Sequence, residues 1–234
     1  MRILDILYPY TCAFCGKVIE KEKGRGACTS CMDQLPYIRE PRCMQCGKPV
    51  SDENQEYCYD CLHTHHIYDR GLSLWLHQSL AASAIYQFKF HNRRIYSHFF
   101  AEQMAEHYGE NIRRWGIQLI IPVPLSRKKR RKRGYNQAEL LAKDLGRIMN
   151  IPVECKSLVR VRDTRPQKTL DVRARKSNLR HAFAWKNRWR PPARVLLVDD
   201  IYTTGNTIDY AAQTLRLAGA QKVYFLTISI GQGY

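Results

Sequence analysis

Apolar positions along the chain fall into a few distinct patterns. Val195, Leu196, Leu197 and Val198 form an unbroken apolar run, and Val223 to Ile230 form a second, mostly apolar one. Between them Ile208, Ala211, Ala212, Leu215 and Ala218 recur at helical spacing until Gly219 ends the pattern. The order predicts strand, loop, helix, strand. A strand without polar alternation is buried on both faces, as in the centre of a parallel sheet. Upstream, Leu119 to Ile121 predict another strand, stopped by Pro122 and Pro124, which cannot sit in a central ladder. Ser79 to Phe90 and Phe99 to Trp115 predict helices, the second with Phe100, Met104 and Tyr108 on one stripe. Leu141, Leu145, Ile148 and Met149 predict a third helical stripe, and residues 151–155 return to extended chain. Residues 62–76 read as a linker entering a strand, with Gly71 as punctuation. Residues 160–183 are polar, with little periodicity, and read as a mobile loop.

The segment after Val198 carries the candidate chemistry. Asp199 and Asp200 are followed by Thr203, Thr204, Gly205, Asn206 and Thr207. Ligands of parallel sheets bind beyond the strand C-termini. A Thr/Gly/Asn loop opening a helix offers N–H groups, hydroxyls and the positive end of a helix dipole to an anion such as phosphate. Two carboxylates would repel that phosphate. They suit hydrogen bonds from sugar hydroxyls, or a hard cation such as Mg2+. Phosphate beside vicinal hydroxyls describes a ribose 5-phosphate. Neither G-x-x-x-x-G-K-S/T nor G-x-G-x-x-G occurs, so two other nucleotide loops are set aside.

Charge sharpens the picture because of where it lies. The chain of 234 residues has a net charge of +17. Residues 127–194 hold 22 cations and 5 acids, while residues 1–126 net +1 and residues 195–234 net −1. Concentrated basicity predicts a polyanionic partner, either pyrophosphate or nucleic acid. Its densest part is seven consecutive cations, Arg127 to Arg133, readable as an anion-binding loop or as a solvated basic loop. Between Tyr86 and Tyr96 aromatics alternate with cations, which suits base stacking or, equally, a helix with a core stripe of Ile85 and Phe88.

Eight of the nine cysteines form four C-x-x-C pairs: Cys12/Cys15, Cys28/Cys31, Cys43/Cys46 and Cys58/Cys61. The unit repeats after about 30 residues, and Gly16 and Gly47 directly follow the second Cys of the first and third pairs, where they would free N–H groups to turn toward the thiolates. The N-terminus is short and carries Asp5, so a signal peptide is not expected, and zinc is favoured over disulfides or redox thiols. Four thiolates close a tetrahedron and leave no position for water, so the two expected Zn2+ sites are structural. Sequential pairing of the motifs is expected, with interleaved pairing left open. His63, His65 and His66 read as linker histidines rather than ligands. No apolar run is long enough to span a membrane.

V-L-L-V-D-D-I-Y-T-T-G-N-T, residues 195–207, resembles the phosphoribosyl pyrophosphate (PRPP) motif of type I phosphoribosyltransferases. That resemblance implies PRPP contacts from Asp199, Asp200, Thr203, Thr204, Gly205, Asn206 and Thr207. It also implies a pyrophosphate-gripping loop at Pro122 and Val123, with Arg127 stabilising the leaving group. If transfer occurs, Asp199, Asp200 and Arg127 are the candidate catalytic residues. The four C-x-x-C pairs, P-V-P-L, R-G-Y-N-Q-A, R-D-T-R-P-Q-K-T-L and the PRPP motif occur in the order that resembles the ComF family of competence proteins, ComFC type. The implied architecture is α/β. A double zinc-ribbon module, residues 1–66, precedes a phosphoribosyltransferase-like parallel sheet flanked by helices, residues 67–234. The implied function is PRPP and single-stranded DNA binding in the cytoplasm during DNA uptake in natural transformation, with Mg2+ accompanying PRPP and a helicase-like competence ATPase as partner. DNA phosphates would meet Lys128, Lys129, Arg130, Arg131, Lys132, Arg133, Arg162, Arg165 and Arg175. A genuine phosphoribosyltransferase and a PRPP sensor without chemistry are the two competing expectations.

Overall fold

The structure is a computed structural model that describes residues 10–19, 26–161 and 182–231. Six strands appear in chain order: β1 (Arg70–Leu76), β2 (Leu119–Pro122), β3 (Leu158–Arg160), β4 (Phe183–Trp185), β5 (Arg194–Tyr202) and β6 (Lys222–Ile230). Four of them build one parallel sheet in the order β1-β6-β5-β2, and β3 and β4 form a small antiparallel pair. β5 is interior, and Val195 to Val198 are fully buried, as the unbroken apolar run predicts. β2 stops at Pro122, and the Val123 N–H still donates to the Val198 carbonyl at 2.9 Å. Residues 151–155 add only one parallel bridge, Ile120 to Val153, at the outer edge of β2.

Seven helices are described: α1 (Thr29–Met32), α2 (Tyr59–His63), α3 (Ser79–Phe90), α4 (Tyr96–Arg114), α5 (Arg127–Arg133), α6 (Gln137–Met149) and α7 (Asn206–Ala218). The stripe Phe100, Met104 and Tyr108 is buried on α4, and Leu141 and Leu145 are buried on α6. Ile148 of the expected α6 stripe instead faces outward, 39% exposed, one residue from the helix end.

Two sequence expectations change. The basic run is a helix rather than a loop. Ser126 caps it by accepting the Lys129 N–H at 3.3 Å, and Gly134 ends it at φ 76° in the left-handed region. Lys and Arg are good helix formers, and cations suit the last turn near the negative end of the dipole. β5 also runs beyond the apolar residues that end at Val198, as far as Tyr202, so both carboxylates lie on the strand itself. β6 is equally long and supplies the ladder, pairing Asp199 with Thr227 and Tyr202 with Ile230.

Alternation on β5 divides the interior into two cores. Leu196 and Val198 join α4 and α6 residues on one face. Val195 and Leu197 join α7 residues on the other. The cysteine-rich segment lies along the β1 edge. The Ile38 N–H donates to the Leu74 carbonyl, and the Leu76 N–H to the Pro36 carbonyl, both at 3.0 Å. That pairing covers an edge that would otherwise offer unpaired N–H and C=O groups. Cys12 and Cys31 pack into one core, and Cys43, Cys46, Cys58 and Cys61 into the other.

Candidate phosphoribosyl site and metal centres

The two cysteine clusters follow the sequential pairing. Cys12, Cys15, Cys28 and Cys31 form one, and Cys43, Cys46, Cys58 and Cys61 the other, each with its four Sγ atoms within 4.8 Å of one another. With Zn–S bonds of about 2.3 Å, a tetrahedron has edges of about 3.8 Å. The Cys15–Cys28 and Cys46–Cys58 Sγ separations, 3.8 and 3.6 Å, fit that edge. The donor set is therefore right for structural zinc, and the chain supplies all four ligands at both centres. Desolvation would raise the Cys12 thiol, but backbone N–H groups of Cys15, Cys28 and Phe14 more than offset it and bring it down to about 7. Gly16 and Gly47 do not aim their own N–H groups at sulfur. They adopt φ 74° and 75° and donate to the Cys12 and Cys43 carbonyls, closing the turn behind each first C-x-x-C.

Of the three histidines read as linker, His66 is not one. It is buried, its Nδ1 lies 2.7 Å from Asp209 Oδ2, and the Ile67 N–H donates to Asp209 Oδ1 at 2.7 Å. His66 Nε2 is buried without a hydrogen-bond partner. This dyad ties the end of the cysteine-rich segment to the first turn of α7. A single His in a run of three gave no signal of it, because Asp209 lies 143 residues away.

The strand–loop–helix motif is assembled as expected. Successive residues of β5 point to opposite faces, so Asp199 and Asp200 splay apart. Asp200 is buried and faces α3 and α5. Lys89 Nζ stands 2.9 Å from its Oδ1, and Arg133 Nη1 4.0 Å from its Oδ2. Asp199 accepts the Asp200 N–H at 2.8 Å and is half-buried. The protein packed around it, and next the charge of Asp200, push its carboxyl up to about 7. Lys89, inside an aromatic-rich helix, and Arg133, one cation among seven, carried no signal distinguishing them in the sequence.

Gly205 turns the loop in the left-handed region, φ 79°, and caps α7. A Cβ there would stand 2.6 Å from the Tyr202 hydroxyl and 2.8 Å from His66 Cε1, so only glycine fits. Thr203 and Thr204 are exposed, and Asn206 and Thr207 half-buried, at the start of α7. Pro122 is opposite Val198 on the neighbouring strand, which brings Pro122 and Val123 alongside the acid pair. Asn136 holds that turn: its Nδ2 donates to the Val123 carbonyl at 3.0 Å while its Oδ1 accepts the Ala138 N–H and caps α6.

Arg127 opens α5 at the rim of a cleft of about 570 Å³, where Arg130, Lys156, Arg160 and Lys186 add cations and, among the described residues, no acid contributes to the lining. Cys155, the one cysteine outside the C-x-x-C pairs, also lines it. Lys128, Lys129, Arg130, Arg131 and Lys132 are exposed on α5, whereas Arg133 turns inward to Asp200 and Gln137. Arg162, Arg165 and Arg175, and nearly all of the expected polar loop, lie outside the described residues.

A double zinc ribbon followed by a parallel α/β sheet, with an adjacent acid pair and a glycine turn at the C-terminal end of an interior strand, defines the class. The family model for the double zinc ribbon domain matches residues 3–62. Competence protein F of Haemophilus influenzae is 31% identical over 222 residues, covering 92% of this chain and 95% of that protein. DNA utilization protein YhgH of Salmonella typhimurium is 30% identical over 85% of this chain and 87% of its own. Competence protein ComFC of Bacillus subtilis is 27% identical over 80% and 77%. The chain belongs to the ComF family of competence proteins, ComFC type. Among solved structures, a purine phosphoribosyltransferase from Pyrococcus horikoshii aligns distantly, with 15% identity, a TM-score of 0.36, and coverage of 58% of this chain and 81% of that one. Among the described residues, no helix is long and apolar enough to cross a membrane.

Proposed function

We propose that the protein binds PRPP with Mg2+ at the end of β5 and single-stranded DNA along its basic segment, acting in the cytoplasm on incoming DNA beside a helicase-like ATPase. The observation that supports this reading is the placement of Asp199, Asp200 and the Gly205 turn beside a cationic helix, which would let one edge of the fold serve a sugar phosphate and a polyanion together. In this reading the Thr203–Thr207 loop takes the 5-phosphate through N–H groups and hydroxyls, at the positive end of the α7 dipole. Asp200 accepts from a ribose hydroxyl and shares its charge with Lys89 and Arg133. Asp199 accepts from the other hydroxyl once ionised. Mg2+ would neutralise the pyrophosphate, with the Pro122–Val123 turn at its side. The exposed cations of α5 neutralise DNA phosphates.

A second reading, transfer of phosphoribose to an acceptor, is favoured by the cationic cleft beside Arg127, which suits a departing pyrophosphate. Calorimetry separates the two. PRPP with Mg2+ is titrated first, then a single-stranded oligonucleotide, on one sample. The proposal expects Asp200→Ala to abolish PRPP heat and Arg130→Glu/Arg131→Glu to weaken DNA binding while sparing PRPP. Equal loss of both ligands in both variants would refute two separate sites. Release of pyrophosphate on adding a nucleobase would favour transfer.

A further inference from the structure

Helix α3 carries two aromatic side chains that its core packing does not use. Ile85 and Phe88 fill the interior and are 1% and 0% exposed. Tyr86 and Phe90 stand on the opposite side, 56% and 47% exposed. They are four residues apart, hence on one face of the helix. Their ring centroids lie 5.0 Å apart, and the His91 ring is 5.5 Å from Tyr86. The core alternative for this segment holds for Ile85 and Phe88, while Tyr86 and Phe90 form an exposed aromatic stripe beside it.

What surrounds that surface identifies its occupant. The Arg133 guanidinium lies 4.9 Å over the Phe90 ring. Arg93 and Arg94 follow on the exposed turn after α3, and Arg94 lies over Tyr135, directly after the Gly134 that ends α5. The cationic helix therefore abuts the aromatic surface. No acid occurs from residue 86 to 96 or from 119 to 138. An apolar protein partner would have to desolvate the exposed Arg93 and Arg94 beside the rings, and a duplex keeps its base faces stacked internally. Unpaired bases present π-faces and carry one phosphate each, which is the complement of rings bordered by cations.

We propose that Tyr86 and Phe90 form a stacking platform for the bases of a single-stranded nucleic acid whose phosphates are held by Arg93, Arg94 and the exposed cations of α5. This rests on the reading that the protein binds single strands, and adds the site at which bases are held. The platform adjoins the sugar-phosphate cradle through Arg133, which reaches both Phe90 and Asp200.

The test uses the full chain, an oligothymidylate of about twenty nucleotides, enough to span a typical site, and an abasic strand of equal length. Tyr86→Ala/Phe90→Ala is expected to weaken oligothymidylate binding by about 10- to 100-fold while leaving the slope of affinity against salt unchanged. The abasic strand is expected to bind the wild type and this variant equally. Arg93→Glu/Arg94→Glu should weaken both strands and flatten the salt slope. Tyr86→Trp/Phe90→Trp should retain oligothymidylate binding, and unchanged circular dichroism would show that the alanine pair folds. Retention of oligothymidylate by the alanine pair would overturn the platform and leave the proposed function standing. Failure of the wild type to bind oligothymidylate would overturn both.

Discussion

Lys89 and Asp200, on different elements and 111 residues apart, form a nearly dry ion pair with Nζ–Oδ1 at 2.9 Å and side-chain exposures of 15% and 11%. A carboxylate expected to greet a sugar is therefore already held by a cation from α3. Removing one partner strands the other's charge, which costs about 3 kcal/mol in buried pairs, whereas replacing both by uncharged groups is often near neutral. Lys89→Met should destabilise the fold by about that amount, and Lys89→Met/Asp200→Asn should recover most of it. Urea denaturation of the four forms in a double-mutant cycle checks this; additive losses would refute the pairing.

Asp199 gives the stability a pH dependence of predictable sign. Its carboxyl moves from an ordinary 3.8 up to about 7, so between those values the folded chain holds a proton that the unfolded chain has released. Its contribution to stability is therefore present at acid pH, is lost as pH rises to about 7, and is level above. Asp199→Asn should flatten that part of the profile, measured by denaturation midpoints across the range. PRPP affinity should run the other way and rise through about pH 7, because the ionised carboxylate is the stronger acceptor for a ribose hydroxyl.

Gly205 is required twice, by its φ of 79° and by contact with Tyr202 and His66. Gly205→Ala should cost at least about 1–2 kcal/mol for the left-handed conformation alone, and more for the clash. PRPP binding should fall even at temperatures where the variant stays folded. A normal calorimetric titration would show that the turn is not part of the cradle.

The two thiolate clusters should differ in how tightly structure depends on them. Two zinc ions per chain are expected by elemental analysis. Cys15 is exposed, whereas Cys46 is 1% exposed in the core on the α7 side of the sheet. Cys46→Ser should lower the melting temperature more than Cys15→Ser, and a chelator should remove the Cys12 cluster's metal first. Equal losses, followed by scanning calorimetry, would contradict that order.

The sequence by itself determined the elements whose residues are neighbours in the chain. Local spacing was enough for the C-x-x-C turns, the apolar β5 and β6, the glycine turn before α7 and the stripe on α4, because each pattern repeats with the period of the element that carries it. It also put the candidate PRPP residues within reach of inspection, since all but Pro122 and Val123 lie in one stretch. Only the tertiary structure decided which faces those residues share. Lys89 reached Asp200, and His66 reached Asp209, because strand order brings distant segments together, and nothing in local composition marks one lysine or one histidine for a buried partner. The same folding turned Arg133 inward from a run of seven cations and left Tyr86 and Phe90 outside a helix whose core stripe was already filled. Short-range pattern fixes secondary structure; packing, which depends on every segment at once, selects the pairs that form the site.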